Sequence, residues 1–162
     1  MVEGSALGGG FEAALAHHFV LSQRDARLGF PEIAFNLFPG MGAYSLVARR
    51  AGMKLAEELI YKGESHTAEW YEQHGLVDVL FEPGQSYVSV RTFIDTLRPK
   101  LNGVRAMLRA RTRVLQLPRS ELMDITEDWV DAAFCLEPKD IAYMERLVML
   151  QNRHHGALRK AS

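Results

Sequence analysis

The sequence lacks the features by which many classes of protein are recognised. Its 162 residues include one cysteine, Cys135, so no disulfide can form within the chain. Cys135 falls inside a predicted helix, where we expect a small buried apolar residue and not a nucleophile. No run of about 18 apolar residues could cross a bilayer, and the start has no secretory signal pattern. We therefore expect no membrane span and a cytoplasmic location.

An excess of charge of one sign is also lacking. The 19 basic and 20 acidic residues leave a formal net charge of −1, so composition gives no argument for binding nucleic acid. The sequence has no internal repeat and no CxxC, HExxH, Walker or GxSxG motif. His17 and His18 are adjacent and would point in different directions on a helix, which makes them a poor metal pair. We expect no metal site and an ordinary globular domain.

The most informative stretch is ALGGGFE at residues 6–12, where three glycines precede a predicted helix. A glycine turn leaves bare N–H groups and the positive end of the helix dipole at one point. Such a point can hold an anion, or an oxygen that becomes one during a reaction. Glu12 would lie beside it in the first helical turn. The alternative is that the glycines serve packing alone.

A second carboxylate, Glu32, lies in an apolar stretch between Leu28 and Phe38. Acidic residues are seldom surrounded by apolar ones unless they are paired or functional. If the fold brings Glu12 and Glu32 close together, the two form a candidate acid/base pair with raised pKa values. That condition depends on distances that spacing along the chain does not give.

The pattern of apolar residues divides the chain into two regions, 1–83 and 84–162. The first region predicts strands near residues 19–22, 27–30 and 76–81, with helices at 11–16, 43–50 and 54–62 and another capped by Thr67. The second region predicts helices alone.

The second region also carries a basic stripe formed by Arg105, Arg109 and Arg113. Residues 98–119 include seven basic side chains and no acidic one. One interpretation is a solvated helix face that is balanced by the acidic residues at 121–128. The other is a landing site for a phosphate group or an acidic carrier protein.

Four segments together resemble the crotonase (enoyl-CoA hydratase/isomerase) superfamily in order and spacing. They are ALGGGFE at 6–12, PE at 31–32, FPGMG at 38–42, and TA at 67–68 followed by GLVD at 75–78. Within the superfamily the chain is most similar to bacterial synthases of diffusible signal factor, the cis-2-unsaturated fatty acid quorum signals. The cues to this subfamily are FNLFPGMGAYS at 35–45 and ITEDWVD at 125–131.

The resemblance implies an α/β fold, mostly helical as it stands. It would be the C-terminal part of a crotonase-like core of spiral ββα units (residues 1–83), followed by a helical oligomerisation and acyl-pocket region (84–162). Glu12 and Glu32 would match the two family glutamates that perform acid/base work, and Gly9 the glycine whose N–H forms one half of an oxyanion hole. The implied substrate-binding residues are Leu7, Gly8, Met41, Trp129 and Leu147.

The implied reaction starts from a 3-hydroxyacyl thioester of acyl carrier protein or CoA, with no cofactor beyond that thioester. Loss of the α-proton and the 3-hydroxyl, followed by thioester hydrolysis, would release a cis-2-unsaturated fatty acid. Which glutamate is acid and which is base stays open. The alternatives are an ordinary enoyl-CoA hydratase/isomerase and a non-catalytic remnant that binds acyl lipid or a sensor kinase.

One departure from the family concerns the start of the chain. Family members carry an N-terminal half before the glycine loop, which supplies most of the sheet and the second oxyanion N–H, whereas this chain begins just ahead of the loop. We therefore expect weak or no activity from this chain alone, which would be a fragment, a truncated gene product or part of an assembly. The family also implies a homo-oligomer, a trimer or a hexamer.

Overall fold

The structure is a computed structural model that describes residues 1–158 and, for side chains, residues 1–150. All strands among these residues lie in the first half of the chain. The strands β1 (Ala6–Leu7), β3 (Arg27–Gly29) and β4 (Ser65–Thr67) form one small sheet, in which β1 runs parallel and β4 antiparallel to β3. The strands β2 (Leu21–Gln23) and β5 (Val79–Phe81) form a parallel pair.

Four helices accompany these strands. They are α1 (Gly9–Leu15), α2 (Ala43–Ala51), α3 (Met53–Lys62) and α4 (Ala68–Gln73), with a 3₁₀ helix at Pro31–Phe35. The hydroxyl of Thr67 accepts from the Trp70 N–H, which confirms the predicted cap of α4. In the core, the Phe11 ring stacks on Phe30 and meets Tyr71 edge-on, with ring centroids 5.1 and 4.8 Å apart. This packing fixes α1 against the segment that leads from β3 to the 3₁₀ helix.

The second half of the chain is helical, as predicted. It consists of α5 (Ser86–Leu97), a 3₁₀ turn (Arg98–Lys100), α6 (Leu101–Leu115), α7 (Arg119–Phe134) and α8 (Pro138–Leu158). No apolar side chain within residues 84–150 is fully buried. The N-terminal end of α7 is fixed to α2 by polar contacts, since Glu121 accepts from Arg49 Nη2 at 2.6 Å and from Ser45 Oγ at 2.5 Å. Within the part of the chain that the structure describes, no helix is both long and apolar enough to span a membrane.

Several expectations from the sequence differ from the structure. The three predicted strands are shorter than expected, and β1 and β4 are added, because two or three residues are too few to show an alternating pattern. The prediction for Cys135 is wrong: it is exposed at the C-terminal end of α7. The neighbouring Phe134 is 85% exposed, so no described residue covers this face of the helix.

The basic stripe of Arg105, Arg109 and Arg113 is exposed to solvent, as the first interpretation expects. Among the described residues, however, no ion pair within 4.0 Å joins it to the acidic residues of α7. The acidic side chain of α7 that does form an ion pair, Glu121, pairs with Arg49 of α2.

Candidate active site

The site is built on the turn between β1 and α1. Gly8 has φ 56° and ψ −128°, a conformation that strongly favours glycine. Its N–H donates to Gly29 O at 2.9 Å, and its carbonyl accepts from the N–H groups of Phe11 and Glu12. The N–H groups of Gly9 and Gly10 are in the first helical turn, where no acceptor within the helix exists, and no other described residue accepts from them. Two free donors therefore lie side by side at the start of α1.

Glu12 follows these donors and is almost completely buried, at 2% exposure. Its Oε1 accepts from the N–H groups of Met41 and Ala43 at 2.8 and 3.0 Å, so the FPGMG loop closes over the carboxylate. Burial raises the pKa of Glu12, and the two N–H groups act in the opposite direction because they stabilise its charge. Its Oε2 lies 4.0 Å from the point where a Cβ on Gly9 would be. One oxygen is thus fixed and the other lies beside the free donors.

Glu32 approaches the same turn from the 3₁₀ helix. Its Oε1 lies 2.2 Å from the position that a Cβ on Gly8 would occupy, so only glycine leaves room for it. Its Oε2 is buried and has no hydrogen-bond partner in the described chain. Burial, followed by the negative charge of Glu12, raises the pKa of Glu32 to about 7, although its own backbone N–H lowers it. Near neutral pH this carboxyl group is therefore poised to give up or accept a proton.

The structure thus brings Gly8, Gly9, Glu12 and Glu32 together, which was the condition left open by the sequence. The two carboxyl groups flank Gly8 and Gly9, one on the helix and one on the 3₁₀ segment. Such a site can hold a carbonyl oxygen on an N–H donor and exchange protons with the carbons next to it.

A cleft of about 600 Å³ opens beside Glu12, between α1, α2 and the segment that joins α6 to α7. Met41 lies at this cleft, and its sulfur is 3.2 Å from the position of a Cβ on Gly9. The apolar part of the wall is formed by leucines from four helices and the joining segment: Leu15, Leu46, Leu115, Leu117 and Leu122. The volume suits a small organic ligand or an acyl chain.

Comparisons with known proteins identify the family. Residues 1–117 match the family model described as enoyl-CoA hydratase/isomerase. The chain belongs to this family. It is 41% identical over 80 residues to 2,3-dehydroadipyl-CoA hydratase of Escherichia coli K12, covering 49% of this chain and 31% of that protein. It is 34% identical over 84 residues to a short-chain-enoyl-CoA hydratase of Clostridium acetobutylicum, covering 52% and 32%.

Solved structures confirm the crotonase-like fold. Carnitinyl-CoA hydratase from Mycobacterium avium matches with a TM-score of 0.74 and 24% identity, over 88% of this chain and 57% of that one. Enoyl-CoA hydratase from Mycobacterium tuberculosis H37Rv matches with a TM-score of 0.66 and 22% identity, over 81% and 60%. This hydratase/isomerase family member thus spans about a third of the length of the two curated relatives. It spans somewhat more than half of the length of the two solved structures.

The remaining predicted substrate-binding residues lie elsewhere in the family fold. Leu7 pairs with Gly29 in the β-ladder, and Leu147 is half-buried on α8, two turns after Asp140 and on the same face. The Trp129 ring covers Gly40, whose Cβ would lie 2.4 Å from the ring. These three residues do not line the cleft among the described residues, and their part in substrate binding stays a prediction.

The sequence did not identify the leucines and Thr126 as cleft residues. Leu115 and Leu122 belong to apolar helix faces that were predicted from periodicity. However, periodicity does not show that these faces turn toward α1. The turn of the chain between α6 and α7 sets the position of these faces relative to α1.

Proposed function

We propose that this site carries out hydratase/isomerase chemistry on an acyl-CoA thioester, adding water across the Cα–Cβ double bond or removing it. The observation that carries the proposal is the pair of carboxyl groups, Glu12 and Glu32, at the Gly8–Gly9 turn that also carries the free Gly9 N–H. The match to the enoyl-CoA hydratase/isomerase family supports this reading over the others. The relatives that were compared are named for CoA thioesters, which favours CoA over a carrier protein as the group attached to the acyl chain.

The contacts suggest a separate task for each glutamate in hydration. The substrate carbonyl oxygen accepts from the Gly9 N–H, which stabilises the enolate charge by about 3 kcal/mol. Ionised Glu12, fixed through Oε1, holds a water on Oε2 and takes one of its protons as the oxygen bonds to Cβ. Protonated Glu32, with a pKa of about 7, gives its proton to Cα, and dehydration is the reverse.

A second candidate function is the synthesis of a diffusible signal factor from a 3-hydroxyacyl carrier-protein thioester. It rests on the two sequence cues to that subfamily, and in the structure these two segments pack on each other. Trp129 covers Gly40, and the Thr126 hydroxyl lies 3.5 Å from Gly40 O. The ITEDWVD segment therefore supports the loop that fixes Glu12. In this reading the same pair also activates water to hydrolyse the thioester.

The discriminating experiment offers the purified protein a 2-enoyl-CoA and a 3-hydroxyacyl carrier-protein thioester and identifies the products. Hydration of the first to 3-hydroxyacyl-CoA supports the proposed function, and release of a free 2-unsaturated acid from the second supports the synthase. A folded protein that turns over neither substrate would instead be the non-catalytic remnant.

Variants test the acid/base pair directly. We expect Glu12→Gln and Glu32→Gln each to lower kcat by about 10²–10⁴-fold, because each removes a group that transfers a proton. Glu72→Gln is the matched control, since Glu72 is exposed on α4 and does not line the cleft. Unchanged turnover in either site variant would rule out the proposed role of that glutamate. The trimer or hexamer, the sensor kinase and the cytoplasmic location stay predictions.

A further inference from the structure

The cleft beside Glu12 has ends of different charge. Glu12 lies at the first turn of α1, and three arginines also line the cleft: Arg49 and Arg50 of α2 and Arg111 of α6. Among the described lining residues, Glu12 is the single carboxylate. Hydrogen bonds place two of the arginines at the other end of α1 from Gly9: Arg50 Nη2 donates to the carbonyls of Leu15 and His17, and Arg111 Nη1 donates to His18 O at 2.7 Å.

The positive charge that lines the cleft is only partly balanced. Arg49, the third arginine of the lining, pairs with Glu121 through Nη2, and its Nη1 is buried without an acceptor in the described chain. Burial and then the nearby charge of Arg111 lower the pKa of Arg50, while Asp78 acts in the opposite direction. Arg50 and Arg111 therefore lie close together in one positive region, in which Arg50 is partly removed from solvent.

The backbone contacts of Arg50 and Arg111 have a structural role, but they use few of the available donors. A guanidinium has five N–H groups. Arg111 donates one nitrogen to a neutral carbonyl, so its other donors have no acceptor among the described residues. A carboxylate is the natural bidentate partner of such a group.

We propose that the arginine end of the cleft is a specificity pocket for an acyl chain that ends in a carboxylate. The substrate class would be the CoA monothioesters of dicarboxylic acids, with the reacting carbons at Glu12 and Gly9 and the far carboxylate on Arg111 and Arg50. This proposal rests on the proposed function only for the placement of the reacting carbons at Glu12 and Gly9. The leucine-lined middle of the cleft suits the methylene chain between the two ends.

The dimensions set the length of that chain. The α-helical rise of about 1.5 Å per residue places the Leu15 carbonyl roughly 5 Å from Glu12 along α1, and His17 and His18 follow the end of that helix. An extended chain advances about 1.2 Å per bond, since three backbone bonds span about 3.3–3.6 Å. The distance therefore corresponds to at least about four bonds, which describes a short to medium dicarboxylic chain.

The experiment measures binding without turnover, using adipyl-CoA and hexanoyl-CoA in isothermal calorimetry. Neither thioester has the double bond that hydration needs, and the two differ mainly in the terminal carboxylate. We expect adipyl-CoA to bind at least about tenfold more tightly at low salt, and the preference to fall as salt is added. Equal binding, or tighter binding of hexanoyl-CoA, would overturn the pocket.

Two variants assign the preference to the arginine end. Arg111→Gln keeps a side-chain N–H for His18 O but loses the charge. We expect this variant to weaken the binding of adipyl-CoA about tenfold and to change the affinity for hexanoyl-CoA by no more than about twofold. Arg113→Gln is the control, because Arg113 is exposed on the same helix and outside the cleft. An equal loss for both thioesters in Arg111→Gln would instead indicate contact with the CoA phosphates or misfolding, and would overturn the proposal.

Failure of the pocket and failure of the proposed function give different results. If the matching 2-enoyl thioesters are not hydrated but the binding preference is present, the pocket stands and the proposed reaction fails. If both 2-enoyl thioesters are hydrated with equal kcat/KM and the protein binds adipyl-CoA no more tightly than hexanoyl-CoA, the proposed reaction stands and the proposed pocket is wrong.

Discussion

Burial and the neighbouring charge of Glu12 both raise the pKa of Glu32. Because this pKa differs between the folded and unfolded chain, the stability of the fold depends on pH. The Glu32 pKa of about 7 lies above the ordinary 4.5, so between these pH values the folded protein keeps a proton that the unfolded chain has lost. The free energy of unfolding should therefore fall as the pH rises through this window and level off above it. The loss attributable to Glu32 is about 3 kcal/mol.

Glu32→Gln should remove this decline. We expect the variant to gain stability relative to the wild type as the pH is raised from about 5 to about 8, measured by denaturant unfolding at each pH. Glu72→Gln, which changes an exposed carboxylate, should follow the wild type. Parallel curves for the wild type and Glu32→Gln would show that the carboxyl group is ionised in the folded protein well below neutral pH.

Gly8 controls the position of Glu32. In Gly8→Ala the new Cβ would meet Glu32 Oε1 and the backbone would be strained at φ 56°. We expect a loss of about 1–3 kcal/mol in the free energy of unfolding and a fall in kcat. Gly4→Ala is the matched control, because Gly4 also has positive φ, 121°, but nothing within 4 Å of the new Cβ. If both variants retain full activity, displacement of Glu32 is not what Gly8 prevents.

The residue types of the site could be predicted from the sequence, but its geometry could not. Three glycines before a helix and a carboxylate in an apolar stretch indicate a donor site and a perturbed acid. Their proximity depends on β1 pairing beside β3, which brings Gly8 and Gly29 together. A two-residue strand leaves no pattern that predicts this pairing.

Among the elements, α7 and the FPGMG loop depend on each other. A Cβ on Gly40 would lie 2.4–2.8 Å from the Trp129 side chain, so Gly40→Ala should push α7 away and disturb the Met41 N–H that fixes Glu12. Trp129→Ala should lower the free energy of unfolding because it removes the packing on Gly40. We expect the two changes to be non-additive, with Gly40→Ala costing at least about 1 kcal/mol less in the Trp129→Ala background. Additive losses in denaturant unfolding would show that the contact is not energetically coupled.

The helices were predictable from periodicity and caps because each is long enough to repeat its apolar pattern. The arrangement of α6 and α7 was not, since it depends on contacts far apart in the chain such as Arg49 with Glu121 and Arg111 with His18. Neither ion pairs nor guanidinium contacts to carbonyls leave a periodic signal. The burial expected for Cys135 failed for a related reason: an apolar helix face shows amphipathicity, not the presence of a neighbour to cover it.

At the level of the whole molecule, burial is unevenly distributed. The buried apolar residues of the described chain all lie between residues 11 and 81, around Phe11, Leu28 and Tyr71. The helices from α5 onward are held by fewer anchors, such as the edge-on contact of Phe93 with Phe19 and the polar contacts of Glu121. Local stability follows the density of buried apolar contacts, so the two regions should open at different free energies.

Amide hydrogen exchange followed by mass spectrometry tests this difference. We expect peptides from α1 to α3 to exchange slowest, those from α7 to be intermediate because of its anchors on α2, and those from α5 and α6 to exchange at least about tenfold faster than the core. A dilution series is the control. If association covers the exposed apolar faces of α5–α8, their protection should rise with protein concentration while that of α1 stays constant. Equal protection throughout, independent of concentration, would show that the chain opens as one unit and would contradict the division at residue 83.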